Sequence, residues 1–225
     1  MLGKIQYDNL LMQLCPSAGG EKELSAQTKT FKIASLKYRK VEGLEKDPLF
    51  RAYIQHSMFR DITAKIIGDE ISVYRSMFFN KPAGRGIAKG WHQDGANGWN
   101  MNITPVITIW TALDPTSIAN GCLQIIPRLH TRAIPEKGDS LTPEEAAIHA
   151  PDEKRLYLEM EMGEVVLLHN FTLHQSDANT ADRPRRGFSV CYVDAATKHL
   201  PTGYGYPGIF PEYTPVEGKA AEMVY

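Results

Sequence analysis

Cysteine is scarce in this chain. Its 225 residues include only Cys15, Cys122 and Cys191, and no two of them form a CxxC pair. This odd, scattered set argues against a disulfide framework or a zinc ribbon and fits the reduced thiols of a cytoplasmic protein. Long apolar runs are missing as well, and the opening MLGKIQYDNLL lacks the basic, apolar and small-residue sections of a secretory leader. Nor is there a surplus of one charge: 25 Lys+Arg face 26 Asp+Glu, a net charge of -1, which argues against nucleic acid as the main partner. No glycine-rich phosphate loop and no alternating strand–helix repeat is visible, so a dinucleotide-binding fold is not expected. With 43% hydrophobic and 23% charged residues, the expectation is one soluble domain over residues 1–225.

Residues 1–45 are weakly periodic. Leu10, Leu11 and Leu14 fit one face of a short helix ended by Pro16 and Gly19-Gly20. Asp47-Pro48 reads as a helix start, and apolar residues from Leu49 to Ile67 recur at helical spacing until Gly68, which predicts one or two helices over 47–67. Beyond Gly68 the pattern becomes strand-like at residues 71–79, 90–94, 106–113, 121–126, 164–168 and 186–193, with Gly, Pro, Asn and Asp turns between. That is the pattern of an antiparallel β sandwich or barrel. Residues 131–158 are polar and acidic, as expected of a lid or insertion.

The chemistry centres on His92-Gln93-Asp94. On a strand, side chains at i and i+2 share a face, so His92 and Asp94 can reach one metal ion. Gly95 suits a strand end. Two imidazoles and one carboxylate are the ligand set of a mononuclear non-haem Fe(II) centre with open positions. His130, His169 and His174 compete as the second imidazole. His174 is favoured because Arg185 follows eleven residues later, across a polar stretch expected to be a hairpin, and a guanidinium suits a dicarboxylate co-substrate. One residue of register slip would exchange Arg185 for Arg186.

From about Asp47 to Asp194 the chain resembles the phytanoyl-CoA dioxygenase family of Fe(II)/2-oxoglutarate oxygenases. The resemblance is carried in order by DPLFRAYIQHSMFRDITAKIIGDEI, SMFFNKP, WHQDG, TIWTALDPTSIANGCLQIIPRLH and GEVVLLHNFTLHQSDANTADRPRRGFSV. It implies a double-stranded β-helix (a cupin-like jelly roll) with flanking N-terminal helices. It implies His92, Asp94 and His174 as iron ligands, and Arg185, Ser176, Lys81 and Trp110 at the 2-oxoglutarate site. It also implies O2 as the oxidant, with succinate and CO2 released. Asp94 favours hydroxylation, because halogenating relatives carry a small residue at that position. The family's usual N-terminal Gly-Tyr segment has no clear equivalent, so residues 1–45 read as divergent or shortened.

For the prime substrate the residues point to a small polar metabolite. Asn97 and Asn100 are expected to hydrogen-bond it, Trp91 and Trp99 to wall it, and Arg75 to meet a carboxylate or phosphate group. The expected state is a monomer or a homodimer without nucleic acid or membrane partners. Two other readings are a cupin-type metalloenzyme that does not use 2-oxoglutarate and a non-catalytic jelly-roll binding protein.

Overall fold

Asp47 caps the first helix: its carboxylate accepts from the Leu49 and Phe50 amides at 2.9 and 3.4 Å. Pro48 takes the first helical position, where a missing N–H costs nothing. The structure, a computed structural model, describes residues 40–84, 86–96, 99–134 and 140–210. The expectations made for residues 1–39, including the helix around Leu10, lie outside them. The stretch 47–67 forms two helices, α1 (Pro48–Ile54) and α2 (Ser57–Ile67). His56 divides them and caps α2 through its ring nitrogen, and Gly68, at φ 111°, ends α2 in a conformation other residues rarely adopt.

The strands are β1 (Lys40–Glu42), β2 (Ile71–Lys81), β3 (Lys89–His92), β4 (Ile107–Ala112), β5 (Leu123–Ile126), β6 (Leu156–Leu158), β7 (Val165–His169), β8 (Leu173–Ser176) and β9 (Arg185–Asp194). A helix, α3 (Pro143–His149), precedes β6. They build two antiparallel sheets, a larger one in the order β1-β2-β9-β4-β7 and a smaller one in the order β3-β8-β5-β6. This is the expected jelly roll. The polar stretch between His174 and Arg185 is not a hairpin. It crosses from β8 in the small sheet to β9 in the large one.

On the large sheet the faces divide by parity. Ile107 and Ile109 of β4 and Phe188, Val190 and Tyr192 of β9 pack with Tyr53, Ile54 and Phe59 of the helices in the main core. Burying each such side chain stabilises the fold by about 1.5–3 kcal/mol. Two hydroxyls stitch the layers: Tyr192 donates to the Ile54 carbonyl (2.8 Å), and Tyr53 bonds Thr111 Oγ1 (2.7 Å). The opposite face, with Trp110, Arg185 and Ser189, looks toward the small sheet.

β2 changes face along its length. Ile71 and Val73 lie in the helix-side core, whereas Arg75, Met77, Phe79 and Lys81 face the cavity between the sheets. A register shift between Val73 and Arg75 inserts Tyr74 as an extra residue, and this bulge turns the following odd-numbered residues over.

The expected lid is packed rather than free. Thr142 and Glu145 form a capping box at the start of α3. Leu141 and Ala150 join Trp91, Ile126, Ile134 and Leu173 in a second core, on the side of the small sheet away from the cavity. No described residue of 131–158 lines the cavity. Among the described residues, no helix is long and apolar enough to cross a membrane.

Candidate metal centre and anion clamp

β3 ends at His92, and Asp94 lies in the turn beyond it, so the pair straddles the strand end instead of sitting wholly on the strand. The alternation survives the turn. Gln93, fully buried, points the other way and donates to the carbonyls of Arg132 (3.0 Å) and Phe171 (2.6 Å), while its oxygen accepts from the Ile134 amide (2.7 Å). Two chain segments, around residues 132–134 and at Phe171, are thereby fixed behind the His-x-Asp pair.

His92 is paired in register with His174 on β8, their ring centroids 4.2 Å apart. Asp94 Oδ1 lies 3.6 Å from His92 Nε2. One ligating atom from each of His92, Asp94 and His174 lies within 4.8 Å of the others, close enough to hold a single metal ion. Both imidazoles are oriented alike: His92 Nδ1 bonds the Gly90 carbonyl and His174 Nδ1 the Thr172 carbonyl, each at 2.8 Å and each two residues back. A carbonyl only accepts, so each Nδ1 carries the hydrogen when the ring is neutral and Nε2 is left as the ligand atom. Burial, reinforced by His92, pulls His174 down to about 4, so this ring is neutral at physiological pH, as metal binding requires. Burial pushes Asp94 upward. The adjacent His92, with the nearby His174 and Arg75, outweighs it and holds the carboxyl well below the usual range.

The other end of the cavity carries a candidate anion site. Lys81 of β2 pairs in register with Arg185 of β9. Arg185 is 3% exposed, and its guanidinium carbon sits 5.6 Å from the centre of the Trp110 ring. One terminal nitrogen donates to the Gly121 carbonyl (2.9 Å), while its buried Nε has no partner. Burial lowers Arg185 to about 10, which leaves it charged at neutral pH. No carboxylate among the described residues forms an ion pair with it. The buried Asn80 Oδ1 in the same cavity is also unpaired. A buried guanidinium without a counter-ion is costly, and it fits a site that receives an anionic ligand. Arg186 faces the opposite way and forms a two-pronged pair with Asp114 at 2.6 and 2.8 Å, which settles the register in favour of Arg185.

Lys81 differs from a simple clamp lysine. Its ammonium donates to the carbonyls of Ile87 (3.0 Å), Ser176 (3.1 Å) and Asp177, so all three protons are engaged. It ties together the chain segments around Arg185. Burial first, then Arg185, lowers it to about 7.

The cavity between the sheets has a volume of about 450 Å³ and is bounded by His92, Asp94, His174, Arg185, Trp110 and Ser176 among others. Arg75 lines it too. Trp91 does not: it faces away from His92 into the second core, because neighbours on a strand point to opposite faces. Trp99 packs at a tilt against Tyr74, with ring centres 4.8 Å apart, outside the lining, and Asn100 is exposed with φ 49°. Asn97 lies outside the described residues. His169 packs beside His130, ring centroids 5.2 Å apart, away from the metal cluster. Lys40, Lys89 and Gln93 have no role assigned to them by the sequence alone. The first two become visible only when β1 and β3 are placed beside β2 and β8. Gln93, the middle residue of the motif, was open to prediction as an inward-facing amide.

Fold and site together define a jelly-roll protein with two histidines and an aspartate grouped in one cavity with a buried, uncompensated arginine. A family model described as phytanoyl-CoA dioxygenase (PhyH) matches residues 11–187, and the chain belongs to that family. The match starts upstream of Asp47, within residues that show no clear Gly-Tyr segment. Similar curated proteins include the phytanoyl-CoA dioxygenase of Arabidopsis thaliana, 25% identical over 67% of this chain and 54% of its own length. Another is phytanoyl-CoA dioxygenase domain-containing protein 1 of Mus musculus, 27% identical over 67% of this chain and 54% of its own. The chain therefore spans about half the length of these relatives. Among solved structures, EctD from S. alaskensis superposes with a TM-score of 0.69 at 20% identity, over 95% of this chain and 76% of that one. SnoK, a non-haem alpha-ketoglutarate-dependent carbocyclase from nogalamycin biosynthesis, superposes with a TM-score of 0.60 at 23% identity, over 89% and 77%. Both likenesses establish the shared fold.

Proposed function

We propose that this protein is an Fe(II)/2-oxoglutarate-dependent dioxygenase that hydroxylates a small metabolite. The observation that carries this reading is the pairing, in one cavity, of a three-ligand cluster with preset ring tautomers and a buried arginine that lacks a counter-ion. EctD has been solved with bound Fe and with 2-oxoglutarate and 5-hydroxyectoine, which supports the same pairing of ligands here.

In this reading His92, Asp94 and His174 hold the metal through two Nε2 atoms and a carboxylate oxygen, leaving the remaining positions open. Arg185 receives the far carboxylate of 2-oxoglutarate, and Trp110 keeps the guanidinium plane in place. Ser176 stands beside the clamp to hydrogen-bond the co-substrate, and Lys81 adds positive charge. When bound, iron and 2-oxoglutarate supply the oxidising power that delivers an oxygen atom from O2 to a C–H bond, with succinate and CO2 released. The chain's own part is to orient the reactants and exclude water. Asp94 as a third protein ligand favours hydroxylation.

The test is an anaerobic titration of Fe(II) and 2-oxoglutarate, followed through the weak visible charge-transfer band of the chelate. The wild-type protein is expected to develop the band. Asp94→Ala and His174→Ala are expected to abolish it, and Arg185→Ala to shift its midpoint to higher 2-oxoglutarate. A wild-type protein that binds Fe(II) without developing the band overturns the assignment.

A further inference from the structure

The cavity is far more basic than the protein around it. The whole chain is nearly neutral, yet the described lining contains Lys40, Arg75, Lys81, Lys89 and Arg185 against the single carboxylate of Asp94. The proposed co-substrate accounts for only part of this charge. Two positive charges on iron and one on Arg185 balance Asp94 and the two carboxylates of 2-oxoglutarate. Lys81 is engaged by its three carbonyls. Arg75 remains without a balancing anion among the described residues, and Lys40 and Lys89 line the cavity with it.

These three form a separate group. Arg75 and Lys81 are six residues apart on β2, about 20 Å at roughly 3.3 Å per residue. The electrostatic neighbourhoods divide in the same way. Lys81 is influenced by Arg185, whereas Lys40 is influenced by Arg75, Glu42, Asp94 and Lys89. Asp94 is itself influenced by Arg75, so this group stands on the metal side of the cavity. Arg75 is held in place without being neutralised. Its guanidinium carbon lies 5.5 Å from the Tyr74 ring centre and 5.3 Å from that of Trp99, and it makes no ion pair or hydrogen bond within the described residues. Lys40 leans over the Phe79 ring at 5.5 Å. A planar guanidinium supported by two aromatic faces keeps its N–H edge free for a carboxylate or a phosphate, the geometry in which arginine binds such groups most strongly.

We propose that the prime substrate is an anion whose carboxylate or phosphate group is received by Arg75, with Lys40 and Lys89 beside it, at the metal end of the cavity. This rests on reading the site as an Fe(II)/2-oxoglutarate oxygenase. It deepens that reading by giving the substrate a charge and a point of attachment. With 2-oxoglutarate sharing a cavity of about 450 Å³, the substrate is also small.

Calorimetry tests the proposal with two probes, inorganic phosphate and propionate, on protein saturated with Ni(II) and 2-oxoglutarate so that the metal and Arg185 are occupied. At least one probe is expected to bind at a single site, and the tighter one names the group, a phosphate ester or a carboxylate. Arg75→Gln is expected to weaken that probe by about tenfold or more, the loss of one charge-assisted partner, and to leave 2-oxoglutarate affinity unchanged. Lys40→Met is expected to weaken it less. Should Arg75→Gln lose the near-UV circular dichroism of the wild type, Arg75→Lys and Lys40→Met carry the comparison. Failure of both probes to bind, or binding indifferent to these substitutions, overturns the proposal. If 2-oxoglutarate itself fails to bind, the oxygenase reading falls. The same titrations on metal-free protein in an Arg185→Gln background then still decide whether Arg75 is an anion site.

Discussion

Gln93 has no exposed surface and satisfies three backbone groups from two other stretches of chain, directly between two candidate metal ligands. Gln93→Leu keeps the volume and leaves those groups unpaired, at about 1–3 kcal/mol for each one that water cannot reach. The expected result is a lower thermal midpoint together with an Fe(II) affinity reduced by about 10–100-fold, as for other residues that orient metal ligands. Metal titration and thermal melts read both, and an unchanged metal affinity would assign Gln93 to packing alone. Lys81 gives a prediction about pH. Burial and Arg185 lower its amine to about 7, while Asp177 and Cys122 act in the opposite direction. An incoming dicarboxylate beside Arg185 favours the protonated form, so binding takes up a proton between about 7 and the raised value. The affinity for 2-oxoglutarate is therefore expected to be highest below pH 7 and to fall as pH rises through that window. Calorimetry in two buffers of different ionisation enthalpy detects the proton, and Lys81→Met is expected to remove it. The folding linkage follows the same logic. The unfolded chain, with the ordinary lysine value of 10.5, binds more protons than the folded one between about 7 and 10.5. The penalty for burying Lys81 therefore eases as pH rises through that range.

Among the elements, β9 contains a glycine whose role is set by its neighbour. A Cβ at Gly187 would lie 2.3 Å from Cζ2 of Trp110, the ring that supports Arg185. Gly187→Ala is expected to push that ring aside and weaken 2-oxoglutarate by about tenfold, roughly 1.4 kcal/mol. Fe(II) affinity should stay unchanged, because β3 and β8, which carry His92 and His174, belong to the other sheet. Parallel titrations of the two ligands check this, and an equal loss of both would mean that the sandwich itself is disturbed. The long strands were legible in the sequence. β2, β4, β7 and β9 announce themselves by β-branched and aromatic runs, and α1 by Asp47-Pro48. The short strands β1, β6 and β8 were not, since their three or four residues carry no period of their own, whereas the equally short β3 and β5 overlap the strand-like stretches 90–94 and 121–126. The wall placement of Trp91 failed for a related reason: it treated proximity in sequence to His92 as a shared face. The bulge at Tyr74 was equally hidden. Simple alternation puts Ile71, Val73 and Arg75 on one side, and only the pairing with β9 shows that the side changes. That bulge places Arg75 and Lys81 in the cavity.

For the molecule as a whole, a near-neutral chain concentrates positive charge in one internal cavity. Focused charge of this kind speeds the arrival of anions, and salt screens it over about 10 Å at 0.1 M. The association rate of 2-oxoglutarate is expected to fall steeply as salt rises from about 0.02 M to about 0.2 M, with a much smaller change in dissociation. Stopped-flow measurements separate the two, and a salt-insensitive association rate would mean that the lining cations do not act beyond contact. The division of the site between the sheets has a mechanical consequence. His92 and His174 stand on the small sheet, Arg185 on the large one, and the crossover between β8 and β9 is the covalent path from His174 to Arg185. A co-substrate joined to the metal at one end and to Arg185 at the other is a cross-tie between two layers that otherwise meet across a cavity. Its binding energy then adds to the cohesion of the sandwich. On the proposed function, the stability of the fold is thereby coupled to the supply of the co-substrate.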